Sequence, residues 1–183
     1  MPISQMDSRS ALVVVDLQKG LAHYPTIHPI EDVAHQAGLL AKAFRDRGLP
    51  VYLVAVAGVA PGRVEQGFAL EELPHDFLEL LPELGRQSDD HVITKHGWGA
   101  FTGTGLDTLL RAAGVTQVVL AGILTSVGIE STARQAHELG FNVTIALDAI
   151  TDIVPLAHAN SLENIFPRLG ETGTSRDIIE RLG

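Results

Sequence analysis

Five short apolar runs, each of strand length and none alternating, recur along the chain with helix-patterned stretches between them. They are ALVVV (11–15), VYLVAV (51–56), HVIT (91–94), QVVLA (117–121) and NVTIAL (142–147). An alternating run buries one face of a strand, whereas a continuous run needs cover on both faces. In the gaps, Val33, Ala37, Leu40, Ala41 and Phe44 repeat at three or four residues, with Gly48 as a stop. Leu106, Leu109, Leu110 and Ala113 do the same before Gly114, and residues 126–139 carry a third helical pattern that ends at Gly140. Alternating β and α elements predict an α/β fold, a parallel sheet with helices on both faces. Ligands of such sheets sit beyond the carboxyl ends of the strands, so the residues just after each run carry the functional question.

The chain has 183 residues, within the roughly 100–200 typical of one domain, and 1–183 reads as a single domain. Residues 58–90 are the least regular stretch, with Pro61, Pro74 and Pro82, and read as part helix, part loop over the site. Thirteen Lys and Arg stand against 22 Asp and Glu, a net charge of −9 with no basic cluster, which speaks against a nucleic-acid partner. No apolar run approaches the ~20 residues of a membrane span, and the start, MPISQMDSRS, does not read as a signal peptide. A cytoplasmic protein without membrane attachment is expected. The chain has no cysteine, which excludes disulfides, thiolate-held metals and a thiol nucleophile.

Four features fall at strand ends. Asp16 ends the first run, and Lys95 the third. The turn AGILTSVGIEST (121–132) follows the fourth and opens a helix, and Asp148 follows the fifth. A half-buried carboxylate needs a partner or a raised pKa, and Lys95 is its natural cation, a pairing suited to general acid–base work. Read locally, Asp16 is equally a turn cap and Lys95 a solvated lysine. A helix N-terminus favours an anion, but the turn with its Ser and Thr is as readily an ordinary capped βα connection. Asp148 reads as a cap or turn residue. Trp98 and Phe101, three apart, wall a pocket or pack in the core. The eight histidines form no HxH, HExxH or DxH grouping, so no metal site and no cofactor are expected.

ALVVVDLQ, VITKHGWGAFTGTGLDTLLRAAGV and VVLAGILTSVGIESTARQAHELGFNVTIALDA, in that order, resemble the isochorismatase-like hydrolases, also called the cysteine hydrolase superfamily. The likeness runs over about residues 8 to 182. It implies a three-layer α/β/α fold, a central parallel sheet of about six strands, a small-molecule substrate and a homo-oligomer, commonly a dimer or tetramer. In the cysteine branch an Asp, a Lys and a Cys act through a thioester. The resemblance places the Asp at Asp16, the Lys at Lys95 and the Cys at the position of Gly128. It also implies a non-proline cis peptide at Ile123–Leu124, with the Leu124 and Gly128 N–H groups as oxyanion donors.

Gly128 has no side chain, so the thioester route is closed at that position. Ser126 and Ser131 do not project from the same spot. Isochorismatases proper resemble this chain in keeping the Asp and Lys without the Cys. Their Asp protonates an enol-ether carbon and water completes the hydrolysis. That likeness makes Asp16 the general acid and Lys95 its support, acting on a small anionic or enol-ether-like molecule. The D-x-H metal region of the nicotinamidase branch reads VAVAGVAPGRVEQG here, without Asp or His. Arg63 in that stretch is a candidate for a substrate carboxylate, and Gln18 for the substrate or Asp16. Two other readings stand beside this one: a ligand-binding protein without activity, and an amide hydrolase with another nucleophile such as a serine.

Overall fold

The computed structural model describes residues 2–66 and 73–182. Its centre is a six-stranded, wholly parallel sheet: β1 (Ser10–Val15), β2 (Val51–Val56), β3 (His91–Lys95), β4 (Gln117–Ile123), β5 (Asn142–Thr151) and β6 (Glu171–Gly173). The helices are α1 (Ile30–Asp46), α2 (Leu106–Ala112), α3 (Glu130–Glu138), α4 (Pro155–Asn160), α5 (Phe166–Leu169) and α6 (Ser175–Arg181). Every residue of β1 is buried, as its unbroken apolar run demands. Leu12 and Val14 pack with Leu40 and Phe44 of α1 and Ile178 of α6. Ala11, Val13 and Val15 face the opposite layer, built by Leu106 and Leu110 of α2, Ala133 and Ala136 of α3, and Phe166 of α5. The result is three layers. Each fully buried Leu or Phe in them contributes roughly 1.5–3 kcal/mol of transfer free energy.

The strand order is β3-β2-β1-β4-β5-β6. After β1 the chain builds outward to β2 and β3, then returns to place β4 on the other side of β1. The order reverses between β1 and β4, and there the helices leave opposite faces and open a crevice at the strands' carboxyl ends. Val15 pairs with Val54 and Gly122, and Val56 with Lys95, so the ends of β1, β2, β3 and β4 reach one edge together. Close approach there requires Gly122, whose φ is 128°, and a Cβ on it would overlap the Val15 carbonyl.

Two elements depart from the pattern read in sequence. The fifth strand does not stop before Asp148 but continues to Thr151. Its pairing with β4 slips between Leu120–Ile145 and Gly122–Ile150, so residues 146–149 bulge out of the ladder. Asp148 lies in that bulge, where its carboxylate accepts the Ser175 N–H (2.6 Å) and Oγ–H (2.7 Å) at the start of α6. It therefore fixes a helix terminus. The described part of 58–90 is mostly irregular, with a single 3-10 turn at Pro82–Leu84 and a bridge from Leu80 to Gln18, while residues 67–72 lie outside the described residues. Among the described residues, no helix is long and apolar enough to cross a membrane.

Candidate active site

Asp16 leaves β1 with φ 62°, in the left-handed region, and Asp is among the few non-glycine residues that tolerate it. Its N–H donates to Val54 O at 2.8 Å, so the turn is anchored on β2. The side chain is 9% exposed and meets the Lys95 Nζ, 1% exposed, at 2.9 Å through Oδ2. Lys95 also donates to Gly97 O (3.0 Å) and Trp98 O (2.6 Å). An ammonium has three donors, and all three of this one are engaged. Lys95 is thus a buried fixture and not a solvated lysine. Asp16 Oδ1, equally buried, has no hydrogen-bond partner. Burial pushes the Asp16 carboxyl from 3.8 up to about 6, with the charge and hydrogen bond of Lys95 only partly opposing the rise. The unpartnered oxygen is where a proton would sit.

This pair opens onto a cavity of about 260 Å³. Leu21 and Tyr24 line it from the segment after β1, Val56, Gly58 and Val59 from the end of β2, Phe77 from the long insertion, and Trp98 from the segment after β3. Ile123, Leu124, Val127 and Gly128 form the wall after β4, and Ile153 the wall after β5. The Ile123–Leu124 peptide is cis. The helix that follows opens with one wide turn, Thr125–Ile129, before α3 proper begins at Glu130. Gly128 is buried in that turn. A Cβ built on it would lie 3.0 Å from both Asp16 Oδ2 and Ile123 O, so residue 128 stands directly against the carboxylate.

A second buried carboxylate organises the turn from behind. Asp152 Oδ2 accepts the Ser126 N–H (2.6 Å) and Oγ–H (2.8 Å), and its Oδ1 accepts the N–H groups of Ile153 (2.8 Å) and Val154 (3.1 Å). The N-terminal end of this helix therefore already has its anion. His158 Nδ1 lies 2.9 Å from Thr125 Oγ1, and burial together with the neighbouring His28 holds the His158 imidazole below its usual pKa.

Residues 10–177 match the isochorismatase domain. The chain belongs to the isochorismatase family. It is 39% identical over 180 residues to the isochorismatase family protein YecD of Escherichia coli, covering 94% of this chain and 96% of that one. The maleamate amidohydrolase of Pseudomonas putida is 30% identical over 186 residues, 95% of this chain and 87% of that protein. A solved isochorismatase family protein from Burkholderia thailandensis superposes with a TM-score of 0.93 at 38% identity over 97% of both chains. A family hydrolase with a six-stranded parallel sheet is thus the frame for the residues named in sequence.

Of those residues, Asp16, Lys95, Trp98, Ile123, Leu124 and Gly128 line one isochorismatase-family cavity. Three others do not. The Gln18 amide is taken up by backbone: Nε2 donates to Val56 O (3.1 Å) and Phe77 O (3.0 Å), and Oε1 accepts the Val56 N–H (2.7 Å). It ties the insertion to β2. Phe101 is buried against Phe141 in the α2–α3 layer, because residues 96–104 run in tight turns and not in a helix. Arg63 is exposed and outside the cavity lining. Of the serines, Ser126 gives its hydroxyl to Asp152, and neither Ser126 nor Ser131 is among the residues that line the cavity. Sequence reasoning missed Asp152, although it is the true residue after the fifth strand, because the bulge moved that strand end by four residues.

Proposed function

We propose that this chain is a hydrolase of isochorismatase type that works without a covalent intermediate, with Asp16 as the proton donor and Lys95 as its electrostatic support. The observation that carries the reading is the Asp16 carboxyl, which lines the cavity with one oxygen held by Lys95 and the other buried without a hydrogen-bond partner. Asp16 in its acid form protonates the terminal carbon of an enol ether, and the π electrons form the new C–H bond. An oxocarbenium ion results. Water adds to it, returning a proton to the Asp16 carboxylate, and the hemiacetal or hemiketal collapses to a carbonyl compound and an alcohol. Lys95 lowers the cost of the carboxylate left after proton transfer. The Leu124 and Gly128 N–H groups are assigned as donors to substrate oxygen. Gly128 supplies space at the place where a nucleophile would otherwise press on Asp16.

The test is a panel of aryl enol ethers, with and without a carboxylate on the vinyl carbon, incubated with purified protein. The expected result is release of the aryl alcohol above the buffer rate, with no adduct on the quenched protein by intact mass. A mass adduct that forms and decays with turnover would mean a covalent route, and no release from any member would remove the hydrolytic reading.

A further inference from the structure

Among the described residues, one carboxyl and one ammonium line the cavity, and they are bonded to each other. With all three Lys95 donors engaged, no cationic hydrogen-bond donor is left to meet a substrate anion. No arginine or histidine is among the lining residues, Arg63 and His96 are exposed and outside it, and residues 67–72 (GFALEE) contain no Lys, Arg or His. The wall is otherwise mostly apolar, with Leu21, Phe77, Trp98, Val127 and Ile153, and its other polar side chains are uncharged: the Gln66 amide and the Tyr24 phenol, kept neutral by a pKa that burial raises. The one helix N-terminus at the cavity is already compensated by Asp152. Bringing a carboxylate into this space would strip its water without a cation in exchange, a costly transfer. The net charge of −9 adds a repulsive field on approach.

We infer that the substrate is an uncharged, predominantly apolar or aromatic molecule with a single polar function placed at the Asp16 carboxyl, and not the small anion that the sequence also suggested. This deepens the reading above and rests on its assignment of the cavity as the substrate site. For an aryl vinyl ether the balance is simple: vinyl carbon gains the Asp16 proton, water supplies the oxygen of acetaldehyde, and the aryl alcohol leaves with the remaining proton.

Binding separates this inference from the catalytic reading. Ethoxybenzene and 2-phenoxypropanoate differ by one carboxylate, and neither can be hydrolysed by carbon protonation. Trp98, the only tryptophan, lines the cavity and reports occupancy by its fluorescence. At neutral pH the expected dissociation constant of ethoxybenzene is at least tenfold lower than that of 2-phenoxypropanoate. Ile153→Arg, at a position 40% exposed on the cavity wall, should then improve 2-phenoxypropanoate binding at least fivefold by supplying the missing cation. Equal or tighter binding of the carboxylate by the unmodified protein would overturn the inference, as would no response to ethoxybenzene or no gain in Ile153→Arg. None of these outcomes decides whether Asp16 donates a proton, which enol-ether turnover reads separately.

Discussion

Asp16→Asn is expected to lower enol-ether turnover by a factor on the order of 10²–10⁴, the usual contribution of a positioned general acid. The substitution is isosteric. The amide oxygen still accepts from Lys95 Nζ, so the buried ammonium keeps its three acceptors and the cavity keeps its shape. What is lost is the acidic proton at Oδ1, since an amide N–H does not protonate carbon. Ethoxybenzene binding to Asp16→Asn should therefore stay within about threefold of the unmodified protein, because the contacts that hold it are apolar. Turnover above a tenth of the original rate would show that another group supplies the proton.

Lys95→Met is expected to be the most destabilising single change at the site, by about 3–5 kcal/mol at pH 8, as for other buried pairs that lose one partner. The Gly97 and Trp98 carbonyls lose their donor, and Asp16 loses the cation at 2.9 Å. The size of the loss depends on pH. In the unmodified protein Asp16 holds its proton more tightly when folded (about 6) than when unfolded (3.8), so stability falls as pH rises between those values and then levels. Lys95 is what opposes this rise, so without it the folded pKa climbs further and the fall continues to higher pH. Urea midpoints should show a smaller cost at pH 5, where the lone carboxyl is neutral, than at pH 8. An equal cost at both would mean that Asp16 does not titrate between them.

The sheet was legible because each β1 residue needed cover on both faces, and a run such as ALVVV has no other comfortable place. The helix ends were legible at Gly48, Gly114 and Gly140. Asp16 and Lys95 could be named from the rule that sites lie beyond strand ends, and the registers Val15–Val54 and Val56–Lys95 explain why two residues 79 positions apart meet. Side-chain direction was not legible. Phe101 and Trp98 looked equivalent by spacing, but a chain that turns tightly after Lys95 sends one into the core and leaves the other at the cavity. Gln18 looked like a ligand because it lies two residues past Asp16, whereas its amide closes backbone valences of β2 and the insertion. Phe77 had no signal at all. It reaches the cavity because Gly20, with no side chain, leaves room for its ring. Asp148 and Asp152 were exchanged by a bulge that no local pattern announces.

In the proposed mechanism Asp16 acts in its acid form. The pH dependence of kcat/KM for an aryl vinyl ether, measured from about pH 5 to 8.5 with the buffer rate subtracted, tests it directly. A midpoint near 6 and a tenfold fall per pH unit above it are expected, as the Asp16 proton is lost. A rate that is flat, or that rises, across that range would contradict it.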